Sequence, residues 1–393
     1  MDIAGKIWDV IGSGRIRSAE TFLSELLTGV LDWRVQATDL EDVTFEWSAE
    51  DLRAQDLDHQ VTDGKIRQLQ PMPGCPWGIF LIEFRNDTAF TTRRGFSVPL
   101  RKTLRGLVQS ARRRFDLPTF KREQLLFICT YKWKHYRFAY FKAPMDGEKR
   151  APLSMFGWNE GETALRTISQ LNLYHLAWPG SAATADDWRT KLETAFSVET
   201  VTRRFFEDYS ECFDLVEARV TGLTTDSDKR LFTQTLFNRL MFLRFLEKKG
   251  WLKFGGNEND YLKRLLAAGE FGGKTFYSGR LKPLFFEGLA QAGKGVNPAF
   301  GDVPFLNGGL FEPGALDTAV PDLTDDVFTP IIGQEGLFYR YNFTVEESTP
   351  LEVQVAVDPE MLGKVFEELV PVEMNPVRST RLVTLSRLCA GKR

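Results

Sequence analysis

The sequence predicts an α/β domain followed by a mostly helical one. Three observations carry this expectation. Residues 77–84 and 124–130 are near-continuous apolar runs of the kind that form buried central strands. Between them, residues 100–115 are basic and amphipathic and read as a helix, which gives strand, helix, strand. From about residue 186 to residue 293 the apolar spacing becomes helical.

In chain order, residues 17–31 read as an amphipathic helix capped by Ser18, with Phe22, Leu23, Leu26, Leu27 and Val30 at helical spacing. Residues 39–70 are polar and acidic, with Phe45 and Trp47 alternating as in a short strand. The run 77–84 carries one carboxylate, Glu83, near its end. The helix 100–115 places Leu100, Leu104, Leu107, Val108 and Ala111 on one face. Residues 136–142 alternate as a third strand. The Pro/Gly-rich stretch 144–161 reads as a linker. The clearest helix is 228–249, with Ser227 as N-cap and Gly250 as C-cap and apolar residues around most of its circumference. The expected organisation is an α/β domain over 1–145, a linker over 146–185, a helical domain over 186–292, a loop-rich connector with a final helix over 293–370, and a tail over 371–393.

Composition narrows the function classes. The chain has 393 residues, 43% of them hydrophobic and 26% charged, with a formal net charge of −3. No global basic field advertises nucleic acid, so any DNA contact must come from a local patch. Cys75, Cys129, Cys212 and Cys389 are widely spaced, which predicts neither a zinc site nor a disulfide framework. No apolar run is of membrane-spanning length and the first residues lack a signal-peptide pattern, so the expected location is the cytoplasm, away from any membrane.

Two groups of residues point to nucleic acid. Arg101, Arg105 and Arg112 share a polar helix face, and Arg112, Arg113 and Arg114 are consecutive. Guanidinium groups on a rigid face suit phosphate oxygens, although a solvated helix face has the same pattern. Lys132 and Lys134 alternate with Trp133 and Tyr136, which suits a nucleic-acid surface and equally a lysine-protected strand edge. Glu83 raises a third possibility. Nucleases of the PD-(D/E)xK type place an acid ahead of a Glu-x-Lys triplet to hold a divalent metal and activate water. The triplet here is Glu83-Phe84-Arg85, with Asp58 or Asp63 as first acid. Glu83 and Asp58 are then the candidate ligands for Mg2+. Arginine does not release its proton at working pH, so a degenerate nuclease-like fold is expected in preference to an active one. Asn297-Pro298-Ala299-Phe300 resembles an amino-methyltransferase motif but lacks its second proline and a preceding strand. Residues 305–309 are glycine-rich without strand–helix context. Both are expected to be loop, and neither predicts cofactor binding.

Four stretches carry a resemblance. They are 237–252 (Phe-Asn-Arg-Leu-Met-Phe-Leu-Arg-Phe-Leu-Glu-Lys-Lys-Gly-Trp-Leu), 304–312 (Pro-Phe-Leu-Asn-Gly-Gly-Leu-Phe-Glu), 341–351 (Tyr-Asn-Phe-Thr-Val-Glu-Glu-Ser-Thr-Pro-Leu) and 358–369 (Asp-Pro-Glu-Met-Leu-Gly-Lys-Val-Phe-Glu-Glu-Leu). Together they resemble the segment that precedes the methyltransferase domain in type IIG restriction–modification enzymes, single chains joining an endonuclease to an adenine-specific DNA methyltransferase. The resemblance implies S-adenosylmethionine as the intact protein's methyl donor, double-stranded DNA as its target, and other phage-defence proteins as possible company. In that family the last helix leads into Thr-Gly-Arg-x-Glu-x-Gly-x-Tyr-Tyr-Thr-Pro-Arg. This chain departs from that pattern after residue 369. Read one nucleotide earlier, the codons permitted by residues 370–393 allow the family's own residues, and Met374-Asn375 forces its Glu. The expectation is therefore an N-terminal fragment without a methyltransferase domain, its residues 371–393 frameshifted, itself holding no cofactor and at most binding DNA. The rival expectations are a free-standing DNA-binding or nuclease subunit and a non-catalytic scaffold.

Overall fold

The two apolar runs form adjacent parallel strands, β3 (Gly78–Glu83) and β5 (Leu125–Tyr131), in a computed structural model of the chain. The structure describes residues 2–33, 45–69, 75, 78–90, 97–110, 112–113, 125–141, 153–160, 165–180, 184–258, 260–293, 295–306, 309–343 and 352–357. The expected helix at 359–369, the tail 371–393, Arg114, and Asn307-Gly308 of the glycine-rich stretch lie outside the described residues. The chain divides into two compact units, residues 1–201 with 346–356, and residues 202–345 with 357–393.

The first unit is α/β. Its sheet has six strands in the order β2 (Ile66–Leu69), β3, β5, β6 (His135–Phe141), β7 (Leu153–Asn159) and β8 (Glu352–Gln354). The pairs β3–β5 and β7–β8 are parallel and the others antiparallel. A separate two-residue ladder joins β1 (Phe45–Glu46) to β4 (Arg112–Arg113). Ahead of the sheet runs α1 (Ile3–Gly12), and α2 (Ser97–Ser110) connects β3 to β5. Leu100, Leu104 and Leu107 of α2 are fully buried, in one cluster with Phe80, Ile82, Phe127 and Ala139. Each such leucine contributes about 1.5–3 kcal/mol by leaving water. Trp47 joins the same face, its indole Nε1 donating to the Leu107 carbonyl at 2.8 Å. On the opposite face Phe22 stacks on Tyr136 (5.9 Å) and Tyr136 on Trp158 (4.7 Å).

Several expectations are corrected. The helix after Ser18 begins as predicted at Ala19, with Ser18 accepting from Thr21 N, but continues as a π-helical stretch, Phe22–Thr28. The helix expected over 100–115 stops at Ser110, because the backbone of Arg112 and Arg113 pairs with β1 instead. The stretch read as a linker, 144–161, contains the buried strand β7. Its glycine is a packing requirement: a Cβ on Gly157 would lie 2.1 Å from the Tyr136 carbonyl oxygen. The first unit therefore extends well past residue 145.

The second unit is mostly helical. It takes in most of α4 (Val198–Arg219), which follows α3 (Ala185–Ala195) of the first unit, then α5 (Asp226–Lys248) and α6 (Tyr261–Ala267). The N-cap of α5 is Thr225, which accepts from Asp228 N at 3.0 Å, rather than Ser227; Gly250 follows its end at φ 70°. As expected, α5 is the buried centre, with Phe232, Leu236, Phe237, Leu240, Leu243 and Leu246 in the core. It also buries Arg239, Arg244 and Glu247. Arg239 makes a two-pronged pair with Asp317 (3.0 and 3.1 Å) and donates to the carbonyls of Leu310 and Glu312. Arg244 donates to the Phe338 carbonyl and to Glu247, which accepts in turn from Tyr339 Oη (2.7 Å). Leu310, Glu312, Asp317, Phe338 and Tyr339 are thus tied to α5 through its buried charges. Among the described residues no helix is long and apolar enough to cross a membrane.

Candidate nucleic-acid interface at one end of the sheet

Because β3 and β5 are parallel, their C-terminal ends lie side by side, and open α/β sheets offer binding crevices at such ends. Glu83 closes β3 at this end. The turn 132–134 between β5 and β6 opens here, and so does Lys65, which precedes the antiparallel β2. The topology therefore brings Glu83, Lys132 and Lys134, which are far apart in sequence, to one end.

Cross-strand pairing sets Glu83 in a row with Thr130, Tyr136 and Trp158 on the same face. One step beyond the Ile66–Ile82 pair, Lys65 stands across from it on the other side. Lys65 Nζ lies 3.3 Å from Glu83 Oε2, and Arg67 Nη2 lies 3.8 Å from Oε1. Arg67 Nη1 also meets Glu20 at 3.5 Å. Thr130 is fully buried, and its Oγ1 has no hydrogen-bond partner among the described residues.

The other nuclease candidates enter different networks. Arg85 turns to the preceding loop: its Nη1 donates to the Asp58 carbonyl at 2.8 Å and its backbone N–H to the Gln60 carbonyl. The Asp58 side chain clusters at the surface with Asp56 and His59, the one group of three or more His, Cys, Asp or Glu within ligand distance of one another among the described residues. Asp63 opens a short 3-10 turn, Asp63–Lys65, that delivers Lys65 to the strand. A divalent metal needs several oxygen donors converging on it. Glu83 instead has a cation on each oxygen, so these residues do not fit Mg2+ as arranged.

The basic candidates divide between the ends of the unit. Arg101 and Arg105 are both half-buried on α2, and the Arg105 guanidinium lies 5.8 Å over the Phe141 ring, at the far end of the sheet. Between them Lys102 reaches Asp56 at 3.8 Å. Arg112 and Arg113 are on β4, not on the helix, so the single face expected for Arg101, Arg105 and Arg112 does not form. Lys132 and Trp133 both have left-handed backbone (φ 51° and 55°), which costs a non-glycine residue on the order of 1–3 kcal/mol. The turn is held by Trp133: its ring lies 6.0 Å from Phe22, and its carbonyl accepts from Tyr136 Oη at 2.7 Å. Lys132 stays exposed over the Tyr131 ring, and Lys134 pairs with Glu160 at 2.8 Å. Lys65 and Arg67 are the residues sequence reasoning missed. The short alternation Lys65-Ile66-Arg67-Gln68-Leu69 was the signal that could have found them.

In the second unit, the stretch around Asn297 is a turn, as expected. Asn297 Oδ1 accepts from Ala299 N at 2.8 Å, and its backbone pairs with Gly301. No protein-family model matches the chain, and no solved structure matches it. A stretch of 163 residues, 38% of the chain, is 34% identical to a protein of Methanocaldococcus jannaschii that carries the provisional name of type II restriction enzyme and methyltransferase. The match spans 13% of that protein's length.

Proposed function

We propose that this chain serves a restriction–modification system and that its first unit is a DNA-binding module with a degenerate nuclease-like fold. The observation that carries the proposal is the 34% identity to a protein named for restriction and methylation. The clustering of Glu83, Lys65, Lys132 and Lys134 at one end of a mixed sheet supports it. The whole protein, by its likeness to type IIG enzymes, would methylate adenine in double-stranded DNA with S-adenosylmethionine and operate among other defence proteins in the cytoplasm. Mg2+ would be required only if the first unit cuts. Lys132, Lys134, Arg101 and Arg105, with Arg112, Arg113 and Arg114, are the proposed phosphate contacts. They act through charge, so binding should be sequence-independent and salt-dependent.

The test is fluorescence anisotropy of the full chain with a labelled duplex across a salt series. Charge reversal at Lys132 and Lys134, and separately at Arg101 and Arg105, is expected to flatten the plot of log affinity against log salt. The expected change in slope is about 0.9 for each phosphate that is no longer neutralised. Absence of binding by the wild-type chain would refute the DNA-binding reading and favour a scaffold, and binding indifferent to salt would refute the phosphate contacts.

A further inference from the structure

We infer that Lys65 and Arg67, aligned by Glu83, form a metal-independent seat for a DNA phosphate; this rests on the proposed DNA-binding reading and extends it to a site built of different residues. The register carries the argument. Lys65, the last residue of the turn that leads into β2, and Arg67 on β2 both reach the row that contains Glu83. Glu83 touches both, Oε2 at 3.3 Å from Lys65 and Oε1 at 3.8 Å from Arg67. A divalent cation could reach this carboxylate only by displacing one positive side chain and remaining beside the other. An anion meets the opposite situation. The ammonium of Lys65 carries three N–H donors and the guanidinium of Arg67 five, more than Glu83 and Glu20 take up. Lys65 is 49% and Arg67 34% exposed at the side chain, whereas Glu83 is 22% exposed. The cations therefore face solvent while the acid that holds them lies deeper.

This arrangement suits phosphate for two reasons. Charge-assisted hydrogen bonds to phosphate oxygens are short and strong. Two long side chains already held by Glu83 also lose less freedom on binding than free ones do. The location agrees. Lys132 and Lys134 stand at the same end of the sheet, two strands away, which at about 4.8 Å per strand is roughly 10 Å. That separation lets both cation pairs meet phosphates of one DNA strand, whose charges follow one another about every 3.4 Å along the helix axis. Arg85 is not part of the seat, because its guanidinium is bound to the Asp58 carbonyl. Glu83 is on this reading a positioning residue.

The experiment uses the full chain, a labelled non-specific duplex and anisotropy over a salt series, in EDTA and again with Mg2+ at matched ionic strength. Lys65→Gln and Arg67→Gln should each lower the salt slope, together by no more than about 0.9 for the one phosphate they share, and Lys65→Arg should keep the wild-type slope. Glu83→Gln should leave the slope unchanged, because both cations remain, and should shift affinity by less than about fivefold. Wild-type binding should be the same in EDTA and Mg2+. Melting curves of the Lys65 and Arg67 variants should lie close to the wild type, because ion pairs made by solvent-exposed cations contribute little to stability. If the two glutamine variants keep the wild-type slope while reversal of Lys132 and Lys134 lowers it, the seat is wrong and DNA binding stands. Duplex cleavage or tighter binding in Mg2+ that disappears in Glu83→Gln would overturn the seat in favour of a metal site. If the wild type does not bind the duplex, both the seat and the DNA-binding reading fail.

Discussion

Arg239 is 2% exposed, and every nitrogen of its guanidinium has a partner. Its charge is opposed by Asp317, and its plane lies 5.0 Å from the Phe286 ring centre. Removing one partner leaves a bare charge in the core, which costs on the order of 3–5 kcal/mol. Asp317→Asn is therefore expected to lower the unfolding free energy measured in urea by that amount. The double variant Arg239→Met with Asp317→Leu should cost clearly less than the single change. A decrease below about 1 kcal/mol for Asp317→Asn would mean the pair is dispensable. Helical spacing identified the leucines of α5 as core but assigned no role to its arginines. Apart from Glu247, three residues after Arg244 on the same helix, their partners lie more than 70 residues downstream, and periodicity does not report pairings that distant. The same limit applied at the sheet. Glu83 stood out as the lone acid in an apolar run, whereas Lys65 acquires meaning only when β2 pairs with β3.

At the scale of elements, the long apolar runs were legible because both faces of β3 and β5 are covered and neither strand alternates. The strand β7 was not legible. Pro152 precedes it, and Gly157 interrupts it, so its composition suggests a linker. Only the partner strand explains the glycine, because Gly157 sits opposite Arg137 and under the Tyr136 carbonyl. Gly157→Ala should therefore separate β6 from β7 locally. Overpacking of this kind costs about 1–3 kcal/mol, or a fall in Tm of roughly 1–4 °C if the chain melts in one transition. An unchanged Tm would show that the backbone yields easily there. The error at Arg112 had a related origin. Amphipathic spacing continues to Ala111, but the chain leaves the helix after Ser110 to complete a ladder with residues 45–46. A tertiary pairing overrode local propensity, and the expected arginine face was divided.

At the scale of the whole molecule, the first unit is discontinuous in sequence. Its sheet ends on β8, from residues 352–354, which pair with β7 after the chain has passed through residues 202–345. Neither unit is thus a continuous piece of chain, and they should not unfold independently. Calorimetry is expected to show one transition, with calorimetric and van't Hoff enthalpies equal. Two separate transitions would mean that the returning strand contributes little. This discontinuity also imposes a delay during synthesis. On a ribosome adding about 5–20 residues per second, the strand that covers β7 emerges roughly 10–40 s after the rest of its sheet. For that interval the open edge of β7 can pair with any passing strand. The exposure of that edge is set by chain order and not by the stability of the finished fold.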